Sequence, residues 1–277
     1  MVKKLQKDPS LLKLGGDTRT MTYLFSDIRG FTPISEQFKT DPQGLGTLIN
    51  RYMTPMTDLV MQKEGTIDKY IGDALMAIWN APLDVDNHAQ LAIETAQEME
   101  VELKKLNKEL KEDGLMELGV GIGINTGDAV VGNMGSNQRF DYSVLGDAVN
   151  LAARLEGQSK GYGVKTIIGE DTAKEIDDMF AVLELDKIAV KGKTVGLDIY
   201  TVLQKSYPTD DRALHNQMHI LYKGQMFKDA IKMCKKLKGK FDGHMDDYYE
   251  MWIGRCEYMS TQNLPKNWNG VFIATTK

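Results

Sequence analysis

Two aspartates stand where strands run out. Asp27 ends the run Thr22-Tyr-Leu-Phe-Ser-Asp27, whose β-branched and aromatic residues predict a strand buried on at least one side, and an Arg29-Gly30 turn follows. Asp73 stands in Tyr70-Ile-Gly-Asp-Ala-Leu-Met-Ala-Ile-Trp79, where Gly-Asp parts two apolar runs as a hairpin turn does. Two carboxylates at the ends of neighbouring strands can clamp a divalent cation against a phosphate. Lys69 lies just before Asp73, Asn150 and Arg154 share one helix face four residues apart, and Val190-Lys-Gly-Lys193 reads as a basic turn. Singly, each has an ordinary explanation: a capping or turn aspartate, a solvated strand lysine, a helix-surface hydrogen bond, a turn.

Other attractive patterns fail on context. The glycines from 119 to 127 do not match Gly-x-Gly-x-x-Gly and lead into a strand, not a helix. Gly192-Lys-Thr194 resembles the end of a phosphate-binding P-loop, but the required first glycine falls on Lys187 and a strand follows. His215 and His219 share a helix face at ligand spacing without a Glu or Cys to join them, so a surface or packing role is the better reading for both, as it is for His88 and His244.

The elements that must hold these residues are legible from periodicity. Residues 1–19 are a polar lead with a short helical turn at Leu11, Leu12 and Leu14, then a loop into a strand starting near Met21. A helix follows from Phe31, with Thr32 as cap and Pro33 in its first position. Apolar residues at three- and four-residue spacing predict helices over 42–63, despite Pro55, and 84–113. Residues 67–79 form a hairpin. Residues 118–124 alternate aliphatics with glycines as a strand does, Asn125-Thr-Gly127 reads as a turn, and 128–133 as a second strand. Gly135–Tyr142 is a polar hairpin or arm, and a helix opens after Leu145 with Asp147 in its first turn. Strands at 164–168, 181–188 and 197–202 surround a helix at 171–177. Strand pairs repeatedly follow each other without a crossover helix, so the chain reads as an α+β sandwich on a mixed, mostly antiparallel sheet rather than a doubly wound one.

From about residue 208 the pattern is helical: a hairpin turned at Gly224 and a third helix over 248–259. Its Tyr-x-Gly-x-x-Phe-x-x-Ala spacing at 222–230 resembles one tetratricopeptide unit, which cannot bury its own face alone and is expected to pack on the main domain or on another chain. The domains expected are 1–17 as a lead or linker, 18–204 as the main domain and 205–277 as the helical extension. The chain has 277 residues and a net charge of −5 with no long basic block, which gives no support to nucleic acid as a partner. Its two cysteines form neither a zinc set nor a disulfide framework, as in a reducing cytoplasm. The lead lacks the apolar segment of a signal peptide, and no apolar run has the roughly 18 residues that a membrane span needs.

Taken jointly and in order, Ser26-Asp-Ile-Arg-Gly-Phe-Thr32, Lys69-Tyr-Ile-Gly-Asp73, Leu145-Gly-Asp-Ala-Val-Asn-Leu-Ala-Ala-Arg154 and Val190-Lys-Gly-Lys193 closely resemble the catalytic domain of class III nucleotidyl cyclases. The resemblance covers about residues 18–203. It implies a ferredoxin-like βαββαβ sandwich and a site shared between two subunits of a homodimer. Two Mg²⁺ or Mn²⁺ ions would bind Asp27, Asp73 and the Ile28 main-chain carbonyl, and ATP would be converted to cyclic AMP and pyrophosphate. The opposing subunit would supply Asn150 to position the ribose, Arg154 to stabilise charge on the α-phosphate, and Lys191 to grip the terminal phosphates.

Base selection follows from the same resemblance. Lys69 matches the position that donates to adenine N1 in adenylyl members, where guanylyl members have Glu. Ser143, seven residues before Asn150, matches the second base-reading position, and a serine hydroxyl can accept from the adenine N6 amino group. Asp141 is two residues out of register, about 7 Å along a strand. Members with Thr or Ser at the Ser143 position are known for stimulation by bicarbonate. The polar lead resembles the segment joining such domains to upstream sensor or membrane modules. The alternatives are a guanylyl or mixed-specificity cyclase, and a catalytically silent nucleotide-binding dimerisation module.

Overall fold

The computed structural model describes residues 15–136, 138–176, 180–189, 196–203, 207–268 and 270–271. The helical turn expected at residues 11–14, and Lys191 with its basic turn, lie outside the described residues, whereas the loop expected before Met21 is strand from Gly15 on, because residues 15–20 pair with 128–133. The chain divides into two compact units, Met1–Glu156 and Gly157–Lys277.

In the first unit, β1 (Gly15–Ile28) runs on to Asp27 and its neighbour, and α1 (Phe31–Gln37), α2 (Pro42–Gln62), β2 (Thr66–Ile71), β3 (Ala74–Trp79) and α3 (His88–Glu112) follow. Next come β4 (Val120–Gly135), β5 (Phe140–Leu145) and α4 (Asp147–Gln158), whose last turn crosses into the second unit. The strands are ordered β2-β3-β1-β4, all antiparallel, with β5 paired to the far end of β4. The expected polar arm is thus the tip of the β4–β5 hairpin.

Alternation along β1 sorts the layers. Met21 and Tyr23 share a core with Met76, Ile78, Val131, Val149 and Ala152, the last two from α4. Thr22 and Ser26 face the other way, where Thr22 bonds His88 of α3 at 2.8 Å and Ser26 meets the Tyr52 hydroxyl of α2 at 3.4 Å. Asp27 has the parity of Met21 and Tyr23, so it is delivered on the α4 side.

Two further local expectations are corrected. β4 is one continuous strand, without the turn expected at Asn125-Thr-Gly127. Asn125 is buried and donates from Nδ2 to the Ala148 carbonyl of α4 at 3.0 Å, and Gly127 pairs with Met21. The turn-forming residue types are there because α4 lies close above. At Gly123 a Cβ would stand 2.2 Å from both the Ala152 carbonyl oxygen and the Glu156 nitrogen, so only glycine admits the helix. At the start of α1, the cap is Gly30 in a left-handed conformation (φ 66°, ψ 37°) with no side-chain cap bond, and Thr32 lies inside the helix.

The second unit holds β6 (Thr166–Gly169), α5 (Glu170–Ile176), β7 (Ala181–Ala189) and β8 (Gly196–Leu203), with the strands ordered β6-β8-β7. It continues with α6 (Thr209–Lys223), α7 (Phe227–Leu237) and α8 (Asp246–Met259). The helical tail packs on β7, as one of the two expectations had it. His215 is 0% exposed, bonded through Nε2 to the Glu184 carbonyl at 2.6 Å and through Nδ1 to the Tyr249 hydroxyl at 3.0 Å. Tyr248 donates to the Leu185 carbonyl at 2.7 Å and lies 3.0 Å from His219 Nε2. Buried Asp186 accepts from Tyr162 at 2.6 Å and pairs with Arg255, whose guanidinium lies 4.6 Å from the Trp252 ring centre. Both histidines are packing groups, one of the two roles that their spacing without a third ligand suggested. Among the described residues no helix is long and apolar enough to cross a membrane.

Burial pushes His215 down to about 4, and burial, then the neighbouring His215, lowers His219. The unfolded chain therefore binds protons that the folded unit refuses, and stability is full above pH ~6.5 and drains away as pH falls toward 4. His215 alone is expected to cost on the order of 2 kcal/mol between pH 6.5 and 5. Urea unfolding at both pH values checks this. His215→Gln should lower stability at neutral pH and flatten the pH dependence, and an unchanged slope contradicts the assignment.

Candidate functional site

The rim of the first unit collects the acids. β1 brings Asp27 to its end, and the β2–β3 hairpin brings Asp73 on a turn whose Gly72 is left-handed (φ 65°), a conformation that favours glycine. The two carboxyls are hydrogen-bonded to each other. Burial, then the charge of Asp73, pushes Asp27 up to about 6, and the Ile28 main-chain N–H, which bonds its carboxyl, opposes that shift. Two carboxyls in contact cannot both ionise comfortably without a cation. Among the described residues no group of three or more His, Cys, Asp or Glu forms a metal cage. The pair fits a divalent ion as a partial donor set, completed by main-chain or phosphate oxygen.

Glu156, which the sequence reading missed, belongs to this field. Burial raises it to about 7, with Asp27 and then Asp73 adding to the shift and Arg29 opposing it. The available signal was amphipathicity: Val149 and Ala152 form the buried stripe of α4, and position 156 continues it with a charge. Beneath the acids lies Tyr52, raised to about 12 chiefly by burial.

A second group forms elsewhere in the same unit. In the run β2-β3-β1-β4-β5 the first and last strands meet, and Lys69 Nζ donates to Ser143 Oγ at 3.1 Å. Ser143 donates in turn to Asp68 Oδ2 at 3.3 Å, and Lys69 Nζ lies 3.2 Å from the same oxygen. The two expected base-reading residues, 74 positions apart, are therefore side by side. Asn150 and Arg154 are exposed on α4. Among the described residues no hydrogen bond or ion pair links either of them to Asp27 or Asp73.

The acid pair makes a prediction for the metal-free protein. A carboxyl raised from 3.8 to about 6 contributes stability that is full below pH ~3.8 and lost as pH rises through ~6. In EDTA, Asp27→Asn should raise the melting temperature at pH 8, by about half as much at pH 5, and little below pH ~3.8. Mn²⁺ should stabilise the native chain at pH 8 and not the variant. No gain at pH 8 removes the strained-pair account.

Comparison with known proteins matches this arrangement to a family. Residues 16–206 fit the profile of the adenylate and guanylate cyclase catalytic domain. The chain is 38% identical over 192 residues to an adenylate cyclase of Anabaena cylindrica, covering 67% of this chain and 37% of that protein. It is 36% identical over 183 residues to adenylate cyclase 1 of Rhizobium meliloti, covering 66% and 27%. It therefore spans roughly a third of the length of these relatives. Among solved structures, the adenylyl cyclase CyaB of P. aeruginosa superposes with a TM-score of 0.64 at 33% identity, over 69% of this chain and 97% of that one. The guanylyl cyclase Cya2 does so with 0.63 at 34%, over 71% and 98%. The α+β core with its rim of acids is thus a class III nucleotidyl cyclase catalytic domain, and the chain belongs to that family.

Proposed function

We propose that this chain acts as a homodimeric adenylyl cyclase, converting ATP to 3′,5′-cyclic AMP and pyrophosphate at two sites shared between subunits. The observation that supports the reading is that Asp27 and Asp73 meet in one cluster and Lys69 and Ser143 in another, while among the described residues no hydrogen bond or ion pair ties the exposed Asn150 and Arg154 to the acids. A second copy related by a two-fold axis would bring the two clusters together. Large exposed apolar residues lie beside the base-reading pair, with Tyr70 and Ile71 on β2 and Phe140 and Leu145 on β5, as an interface requires.

Divalent cations, two in this reading and either Mg²⁺ or Mn²⁺, supply the positive charge that acidifies the ribose 3′-hydroxyl and neutralises the triphosphate. Asp27, Asp73 and the Ile28 carbonyl hold that charge at the rim. From the partner, Lys69 donates to adenine N1 and Ser143 accepts from the N6 amino group. Asn150 orients the ribose so that its 3′-oxygen faces the α-phosphorus. Arg154 donates to the α-phosphate oxygens as charge grows there and pyrophosphate leaves. Lys191 is assigned to the terminal phosphates on the sequence match alone.

Overall similarity does not separate adenine from guanine, because an adenylyl and a guanylyl cyclase superpose equally well. Lys69 beside Ser143 favours adenine, since the pair offers one donor and one acceptor to an edge that needs both. The same serine motivates a bicarbonate response, read as the rate in bicarbonate against chloride at fixed pH. Cytoplasmic residence fits a chain that consumes ATP.

The test is subunit mixing. Asp73→Ala and Arg154→Ala chains should each be inactive with ATP and Mn²⁺. Mixed equally, half the dimers are heterodimers with one intact site of two, so about a quarter of native activity should return. Heterodimers without recovery contradict shared sites. Nucleotide binding by the native chain without turnover favours a silent module, and faster turnover of GTP favours a guanylyl cyclase.

A further inference from the structure

We propose that Asp68 is a positioning residue that sets base selectivity by holding the Ser143 hydroxyl as an acceptor toward the exocyclic amino group of adenine. The inference rests on the adenylyl cyclase reading above. In a regular strand Asp68 and Lys69 would point to opposite faces. β2 is irregular at this point: Ile67 pairs with Ala77 and Lys69 with Met76, which leaves Asp68 as an extra residue in the ladder. A bulge of this kind re-aims side chains. Here it turns both residues toward Ser143, with Lys69 Nζ 3.1 Å from the serine oxygen and Asp68 Oδ2 3.3 Å from it.

The aspartate is costly where it stands. Its side chain is 0% exposed beside a lysine that is 47% exposed, and its buried Oδ1 has no hydrogen-bond partner among the described residues. A buried acceptor left unsatisfied is a penalty that packing alone does not explain. What Asp68 does through its other oxygen has a chemical consequence. A serine hydroxyl has one proton and two lone pairs. The proton is committed to Asp68 and one lone pair to Lys69, so the remaining capacity of Ser143 is that of an acceptor. Adenine presents the N6 amino donor there, and guanine presents the O6 acceptor. Asp68 therefore fixes the polarity of the serine, and with it the choice of purine.

Asp68→Asn keeps the size and reverses the polarity, because its amide can donate to Ser143 and release the hydroxyl proton toward the base. The ratio of kcat/KM for ATP to that for GTP should fall about tenfold, the scale of one hydrogen bond, mainly through a higher KM for ATP. Asp68→Ala, which also frees the proton, should move the ratio in the same direction and provides a second variant if the asparagine chain melts early. Because Asp68 acts through Ser143, the substitution should change the ratio less than twofold in a Ser143→Ala background. An unchanged ratio in Asp68→Asn, or an equal fall with and without Ser143, overturns the inference while native cyclic AMP formation still stands. No cyclic nucleotide from the native chain removes the adenylyl cyclase reading and this inference with it.

Discussion

The contact between α4 and β4 governs everything else in the first unit. The helix lies so close that any side chain at Gly123 would meet its backbone at 2.2 Å. Packing at that separation leaves no room for side chains to interdigitate, so the helix axis is fixed by backbone atoms rather than by adaptable rotamers. Val149 and Ala152 on the underside, and Asn150, Arg154 and Glu156 on the flanks and end, inherit their positions from it. Because β1 pairs with β4 from Gly15↔Asn133 to Ile28↔Val120, Asp27 is in register with the same strand that seats the helix. Site and scaffold share one set of backbone coordinates, and the chemistry is only as accurate as that contact.

Electrostatics at the rim work against folding. Asp27 is raised to about 6 and Glu156 to about 7 for the same leading reason, loss of water. Arg29 offsets part of this at Glu156 without cancelling it. The second unit handles buried charge differently: Asp186 is matched at once by Arg255 and Tyr162. The contrast is physically meaningful. A matched buried pair is structural, whereas acids held together unmatched are, in the proposed reading, where a cation would bind.

Much of this was legible in the sequence. Apolar periodicity gave the long helices, the Gly72-Asp73 punctuation gave the β2–β3 hairpin, and glycines alternating with aliphatics marked β4. The residues that escaped did so where tertiary contact overrode a local signal. Asn125 and Gly127 have turn chemistry, yet they stay in a strand because a helix presses on them. Thr32 is a good cap by type, yet the left-handed Gly30 takes the position. Glu156 hid in an amphipathic pattern whose buried stripe ends in a charge. Asp68 could not be seen at all, since alternation places it opposite Lys69 and only a register shift between strands brings the two together.

The β2–β3 hairpin carries Lys69 on one arm and Asp73 at its tip, four residues apart. In the proposed two-fold pair, the lysine reads the base in one site while the aspartate holds charge in the other. One short hairpin would then be a component of both sites. In that pair a nucleotide that shifts Lys69 in the first site would also move Asp73 in the second, along a path four residues long. Cooperativity in such a dimer would need no relay through the body of the protein.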